Sequence, residues 1–209
     1  MVTGTTGNDE LFATPSAGSS LLDGVFDTTF TGAGNDTIDL TLNPNARNNR
    51  VDGGSGLDTI FVTRNDRAFG GAGDDVFEAT DGKGNNRMSG GAGDDTFYLG
   101  RDDRALGGDG NDRFFAGTGG ENLLSGGAGV DQFWIVNGDI PTAANTILDF
   151  QIGTDVIGIS GIGATAATLV LTQVGADTSI GFGGQSLAVL KGVQASSLTP
   201  SNASQFLFT

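Results

Sequence analysis

The sequence predicts an all-β protein, a parallel β-roll wound from short strands and turns, with a small antiparallel β cap at its C-terminal end. Three observations carry that prediction. A Gly-x-Asp step recurs eight times, an apolar residue follows five of those steps at a fixed distance, and 37 of the 209 residues are glycine against only four prolines. Collagen's three-residue glycine period is absent, so the glycines mark turns and not a triple helix.

The turns are the most regular element. Five have the full Gly-Gly-x-Gly-x-Asp form: Gly53, Gly54, Gly56 and Asp58; Gly70, Gly71, Gly73 and Asp75; Gly90, Gly91, Gly93 and Asp95; Gly107, Gly108, Gly110 and Asp112; Gly126, Gly127, Gly129 and Asp131. Shorter versions stand at Gly7 and Asp9, at Gly34 and Asp36, and at Gly153 and Asp155.

Strands follow the turns. Two residues after the five full turns come Ile60, Phe77, Phe97, Phe114 and Phe133, and two further on Val62, Ala79, Leu99, Ala116 and Ile135. That period of two is the mark of a short strand with one buried face. A weaker half-repeat, Asn/Asp-x-apolar, places Val51, Ala68, Met88, Ala105 and Leu124 nine residues before the strong apolar positions in every case. Two strands and two turns per coil make a flattened solenoid whose coils stack at ~4.8 Å. Spacings of 17, 20, 17 and 19 residues between Asp58, Asp75, Asp95, Asp112 and Asp131 confine length variation to the second edge. Residues 11–30 give no single register, because Leu22 and Thr29 both fit the weaker apolar position.

After Asn145 the text changes. Ile147 and Ile157 continue the core, and 168–174, 178–182 and 186–190 read as antiparallel strands covering the open end. The expected division is residues 1–159 for the roll and 160–209 for the cap.

Charge then points to chemistry. The chain holds 25 acidic and 10 basic residues, a net −15, and 22 of the acids are Asp against three Glu. A tight turn that returns a carboxylate to its own backbone favours the shorter side chain, so this charge reads as ligand charge awaiting cations. It argues against nucleic acid and anionic membranes as partners. There is no Cys and no His, which removes thiolate sites, the commonest transition-metal ligand and the commonest general base. No run approaches a membrane span, and the N-terminus lacks an ordinary signal peptide. Hard, oxygen-binding cations remain.

Calcium takes six to eight oxygens, backbone carbonyls included. The glycines let several carbonyls point into one space while the final Asp adds charge, and two stacked turns complete what one cannot. Without metal, carboxylates ~5 Å apart repel by roughly 3 kcal/mol per pair at an effective dielectric near 20. The metal-free roll is therefore expected to be unfolded or molten, and binding becomes folding energy. Several ions, about six for the gaps between the eight turns, would move the charge from −15 to about −3.

The nonapeptides Gly90-Gly91-Ala92-Gly93-Asp94-Asp95-Thr96-Phe97-Tyr98 and 126–134 resemble those of the RTX, or repeats-in-toxin, family. The resemblance covers roughly residues 3–159. It implies Ca²⁺ at the turn residues named above, export in the unfolded state by a type I secretion apparatus, and folding outside the cell or at its surface. Thr5 and Thr31 depart from the turn pattern, and the second half-repeat often lacks Gly-x-Gly; Gly82-Lys83-Gly84-Asn85-Asn86 is the second-edge turn still considered. The apolar end of the chain, 201–209, resembles a type I export signal, and a final strand carrying Phe206 and Phe208 is the structural alternative.

Two surface rows remain. Arg50, Arg67, Arg87 and Arg104 form a ladder read either as charge balance for Asp66 and Asp103 or as a stripe for anionic glycans. Phe61, Tyr98, Phe115 and Trp134 face outward, under a docked C-terminal segment or as a contact for a partner. The resulting expectation is a non-enzymatic, secreted, calcium-binding structural protein that self-assembles end to end as a homo-oligomer or filament, since repeats start within a few residues of Met1 and no N-terminal cap is evident. The alternative is a calcium-dependent carbohydrate-binding module.

Overall fold

A computed structural model describes residues 1–14, 22–80, 83–117 and 119–209. The chain winds as stacked coils of two strands each. β1 (Val2–Thr3) and β2 (Glu10–Phe12) are followed by β3 (Thr28–Ala33) and β4 (Thr37–Asp39), β5 (Arg50–Ser55) and β6 (Thr59–Phe61), and β7 (Arg67–Ala72) and β8 (Val76–Glu78). Next come β9 (Arg87–Ala92) and β10 (Thr96–Tyr98), β11 (Arg104–Asp109) and β12 (Arg113–Phe115), β13 (Leu123–Ala128) and β14 (Gln132–Asn137), and β15 (Asn145–Ile147) and β16 (Val156–Ser160). The odd-numbered strands of these coils form one parallel sheet and the even-numbered ones a second. No α-helix occurs among the described residues, and no helix is long and apolar enough to cross a membrane.

The core lies between the two sheets, filled by the residues that the period-two pattern selects. Ile60, Phe77, Phe97, Phe114 and Phe133 pair in register along the second sheet, and all are fully buried. Phe77, Phe97, Phe114 and Phe133 form a continuous stack, with neighbouring centroids 4.8, 4.9 and 5.0 Å apart and planes within 9° of parallel. The centroid spacing equals the strand spacing, so each ring meets its equivalent one coil away. Burying one such ring contributes about 1.5–3 kcal/mol before packing is counted. Val51, Ala68, Met88, Ala105 and Leu124 line the opposing sheet, in register and buried.

Where the sequence left the register open, Thr29 takes the inward strand position. It pairs with Val51 and is buried, while Leu22 joins the core outside any strand. The intervening 15–21 lie outside the described residues.

The C-terminal strands are β17 (Val170–Val174), β18 (Asp177–Phe182), β19 (Gln185–Leu190) and β20 (Phe206–Phe208). β17 pairs antiparallel with β18, and β18 antiparallel with β19, as the alternation predicts. The way they attach is different from a lid. β19 lies parallel beside β15 and β20 parallel beside β16, so the first sheet continues through β19, β18 and β17 and the second by one more strand. Inward-facing Ala188, Leu190 and Phe206 make this possible, because they carry the buried rows past Ile147 and Ile157. The final apolar residues thus form a strand.

That arrangement leaves the outer aromatic row beside the C-terminal strand and not beneath it. Tyr98, Phe115 and Trp134 are half-buried and stack on one another, at 5.0 and 6.2 Å between centroids. Their ring faces are spent on each other, and Trp134 also covers Gly158, where a Cβ would overlap the indole.

Candidate metal-binding edge

Each long strand of the first sheet runs directly into a strong turn. In β9 the chain passes through Gly90 and Gly91, turns at Gly93, and re-enters the second sheet after Asp95. Gly91 and Gly93 have φ of +121° and +130°, a region closed to most side chains. A Cβ at Gly91 would overlap the Gly71 carbonyl oxygen, and one at Gly93 the Gly73 carbonyl oxygen. Equivalent overlaps recur at Gly54, Gly56, Gly71, Gly73, Gly108, Gly110, Gly127 and Gly129. Two rows of carbonyls therefore run along the edge, each aimed into the next coil.

The first glycine of each turn serves another purpose. At Gly70, Gly90, Gly107 and Gly126 a Cβ would strike Oδ2 of that turn's own Asp. The carboxylate folds back over the first glycine, which is why the motif has three glycines and ends in the short acid.

All eight predicted aspartates then fall into one ladder. The N–H of Asp9 donates to Oδ1 of Asp36, Asp36 to Asp58, Asp58 to Asp75 and Asp75 to Asp95, each at 2.8 Å. Asp95 donates to Asp112 and Asp112 to Asp131 at 2.9 Å, and Asp131 to Asp155 at 3.2 Å. The other oxygen tells the turns apart. Oδ2 of Asp36, Asp58, Asp75, Asp95, Asp112 and Asp131 is buried and accepts no hydrogen bond. At the two ends Oδ2 is occupied, by the Thr5 N–H for Asp9 and by the Gln151 N–H for Asp155.

A buried carboxylate oxygen without a donor costs several kcal/mol if charged, unless a cation faces it. The electrostatics agree. Burial pushes Asp95 up to about 8, Asp75 and Asp112 to about 7, and Asp131 to about 6. The backbone N–H each carboxylate accepts opposes the shift, while neighbouring carboxylates add to it. Asp58 and Asp155 are raised for the same first reason. Among the described residues no three carboxylates converge on a point. Each of the six inner turns offers one carboxylate oxygen beside rows of backbone carbonyls, a hard-oxygen set that suits Ca²⁺ and no soft metal.

Sequence reasoning overlooked two contributors. The residue before each aspartate builds an outer ladder: Asn8 accepts from Asn35 N–H, Asn35 from Leu57, Asp74 from Asp94, Asp94 from Asn111 and Asn111 from Val130. The repeated Asn-Asp and Asp-Asp pairs were its visible signal. Asp149 had none. It accepts from Ser125 Oγ and the N–H groups of Gly126 and Gly127, while the Gln151 amide donates to the Gly127 carbonyl, so side chains close the last turn.

The opposite edge has a ladder of its own with a different outcome. Oδ1 of Asn49, Asp66, Asn86, Asp103, Asn122 and Asn145 each accepts the N–H of the equivalent residue one coil earlier, beginning with Asp27. Here the second oxygens are served by the protein. Asp66 Oδ2 accepts from the N–H and hydroxyl of Thr63, Asp103 Oδ2 from Gly100 N–H, and Asp27 Oδ2 from Asp23 and Gly24. Burial still raises Asp103, to about 6. Of the second-edge turn at 82–86, Gly82 lies outside the described residues, and Asn86 is a member of this ladder.

Comparison with known proteins fits the geometry. Residues 45–62, 63–96, 79–104 and 106–134 match the model of the RTX calcium-binding nonapeptide repeat, in four copies. Residues 45–134 carry RTX repeats. The Asp ladder continues in the same register beyond them, through Asp9 and Asp36 on one side and Asp155 on the other. RTX repeats wound as a parallel solenoid make this a calcium-binding β-roll. Among solved structures the chain is similar to the extracellular lipase LipA from Serratia marcescens, at 18% identity and a TM-score of 0.27, over 99% of this chain and 39% of the lipase. It thus spans well under half of that protein's length. No curated protein matches it.

Proposed function

We propose that this protein is a secreted, non-catalytic structural component that folds on binding calcium along one edge and then assembles end to end. The observation that carries the reading is the row of six buried, unpartnered Asp oxygens lying beside two rows of backbone carbonyls. Its ligands would be the predicted turn residues, with Asp36, Asp58, Asp75, Asp95, Asp112 and Asp131 supplying the charge. The second edge needs no ion, because its carboxylates already have donors.

Secretion fits the same chemistry. A chain that buries six carboxylates stays open where calcium is scarce and closes where it is plentiful, which suits passage through a type I apparatus. The division into a roll at 1–159 and a C-terminal part at 160–209 belongs to this proposal, with 160–209 extending both sheets. Self-assembly is supported by the first coil: among the described residues β1 and β2 each have a strand partner on one side only, and Met1, Val2, Leu11, Phe12 and Leu22 line a cavity of about 370 Å³ there.

Circular dichroism with calcium and then chelator tests the folding part. A β-rich spectrum that appears with calcium and collapses with chelator is expected; one indifferent to both contradicts it. Light scattering across a calcium titration tests assembly, and a monomer at every concentration would rule it out.

A further inference from the structure

The four arginines at the start of the long strands form a second functional row. Arg50, Arg67, Arg87 and Arg104 pair directly, one above the next, on the outer face of the eleven-stranded sheet. Arg50 is engaged within the protein, with Asp52 at 3.3 Å and the Phe69 ring 4.3 Å beneath its guanidinium. Arg67, Arg87 and Arg104 are exposed, and among the described residues their side chains make no ion pair and no hydrogen bond.

Charge balance does not account for them. Asp66 and Asp103, the acids beside them in sequence, are buried and their oxygens are occupied by backbone and Thr63 donors. Asp102 sits with Arg101 at 3.4 Å, and Glu121 lies beyond the last arginine. What flanks Arg67 and Arg87 is Asn65 and Asn85 on one side and Phe69 and Ser89 on the other. Three guanidinium groups thus stand in register at the ~4.8 Å coil spacing, in a chain of net charge −15, with no anion of their own. Like charges so placed repel, and an external anion would turn that cost into binding.

The row is also a ridge between two grooves. One, of about 540 Å³, runs along the polar side past Asn48, Asn65, Asn85, Asp102 and Glu121, whose backbones all hold φ between +56° and +63°. The other, of about 310 Å³, has Phe69, Met88 and Leu106 in its lining. Amide groups beside Arg67 and Arg87, apolar surface on the other flank and bidentate cations between them suit a chain of hydroxylated rings bearing carboxylates.

We propose that Arg67, Arg87 and Arg104 bind a linear acidic polysaccharide laid along the stacking axis, one carboxylate to each arginine. Single-stranded nucleic acid fits less well, since it is held by stacking on aromatic faces and the ring beside the row, Phe69, lies under Arg50. The site lies at the opposite end of the long strands from the calcium edge, and its proposal requires only that the protein be folded, whatever the first edge holds.

The test uses the full chain in millimolar calcium and a labelled oligogalacturonate too short to gel, read by fluorescence anisotropy. Wild type should bind it, less tightly at higher salt, and neutral dextran not at all. The triple variant Arg67→Gln/Arg87→Gln/Arg104→Gln should bind about tenfold to a hundredfold more weakly, with an unchanged circular dichroism spectrum. Arg113→Gln/Lys191→Gln, which lowers the charge elsewhere, should bind as wild type. Replacing only Arg87 by Lys should give an intermediate loss, keeping the charge without the fork, and provides a milder variant should the triple one misfold. Absence of wild-type binding, equal binding by the folded triple variant, or single-stranded DNA binding as tightly as the oligosaccharide would each overturn the proposal.

Discussion

Replacing Asp95 by Asn should change stability in opposite directions with and without calcium. Asp95 is fully buried in the middle of the ladder, and burial pushes it from 3.8 to about 8. At pH 7 the folded, metal-free chain must either bury this charge or take up a proton that the unfolded chain has lost. The penalty spans about three units at about 1.4 kcal/mol each, a ceiling of about 4 kcal/mol. Water at the outer rim, where Asp94 is exposed, screens the edge, and about 2 kcal/mol is the expected penalty. Asn removes it while keeping an oxygen to accept the Asp75 N–H, so the variant should be more stable by about that amount in chelator. With saturating calcium it lacks a charged ligand and should be less stable by about 1.5–3 kcal/mol. Urea unfolding followed by circular dichroism, with sulfate added to hold the metal-free state, measures both. Destabilisation of similar size in both conditions would refute the reasoning.

Three further outcomes follow from the same geometry. For the metal-free protein, aspartates raised in the folded state contribute stability that is fully present below about pH 4 and is lost as pH rises toward 8, the level reached by Asp95. A chelated sample should therefore hold more structure at pH 4.5 than at pH 8 by circular dichroism, and a calcium-loaded one should lose affinity on acidification. Gly91→Ala places a methyl against the Gly71 carbonyl at φ +121° and should cost about 3 kcal/mol or more, whereas Ser89→Ala on the outer face should change thermal stability by less than about 0.5 kcal/mol. Phe97→Ala removes a ring held at 4.8 and 4.9 Å between Phe77 and Phe114, and should cost about 3–5 kcal/mol in calcium by urea titration.

Much of this was legible because each coil repeats its own chemistry. The nine-residue step from Val51 to Ile60 and its four counterparts locates both sheets, since a strong turn of constant length joins them. The eight aspartates were legible as a set, and they form one ladder. The difference between the edges was legible in part, because the half-repeat around Asp66 lacks the Gly-x-Gly that precedes Asp75. Its cause was not: Thr63 supplies two donors to Asp66 Oδ2, while Asp75 Oδ2 has none. Whether a carboxylate's second oxygen is satisfied depends on backbone direction, which spacing does not encode. The C-terminal strands show a similar limit. Their alternation marks Val170–Val174, Asp177–Phe182 and Gln185–Leu190 as strands, but whether they lie over the roll or continue it depends on which edge is free. Asp149 closes the last turn from a distance of 22 residues, and no Gly-x-Asp step marks it.

The central claim is that calcium sits on one edge, held by the unpartnered aspartates, and equilibrium dialysis of bound calcium per chain tests it most directly. The double variant Asp75→Asn/Asp95→Asn is compared with Asp66→Asn/Asp103→Asn, each against wild type. The account predicts that the first pair lowers the number of ions bound or sharply weakens them, and that the second pair leaves both unchanged. Loss of ions in the second pair, with wild-type binding in the first, would contradict it.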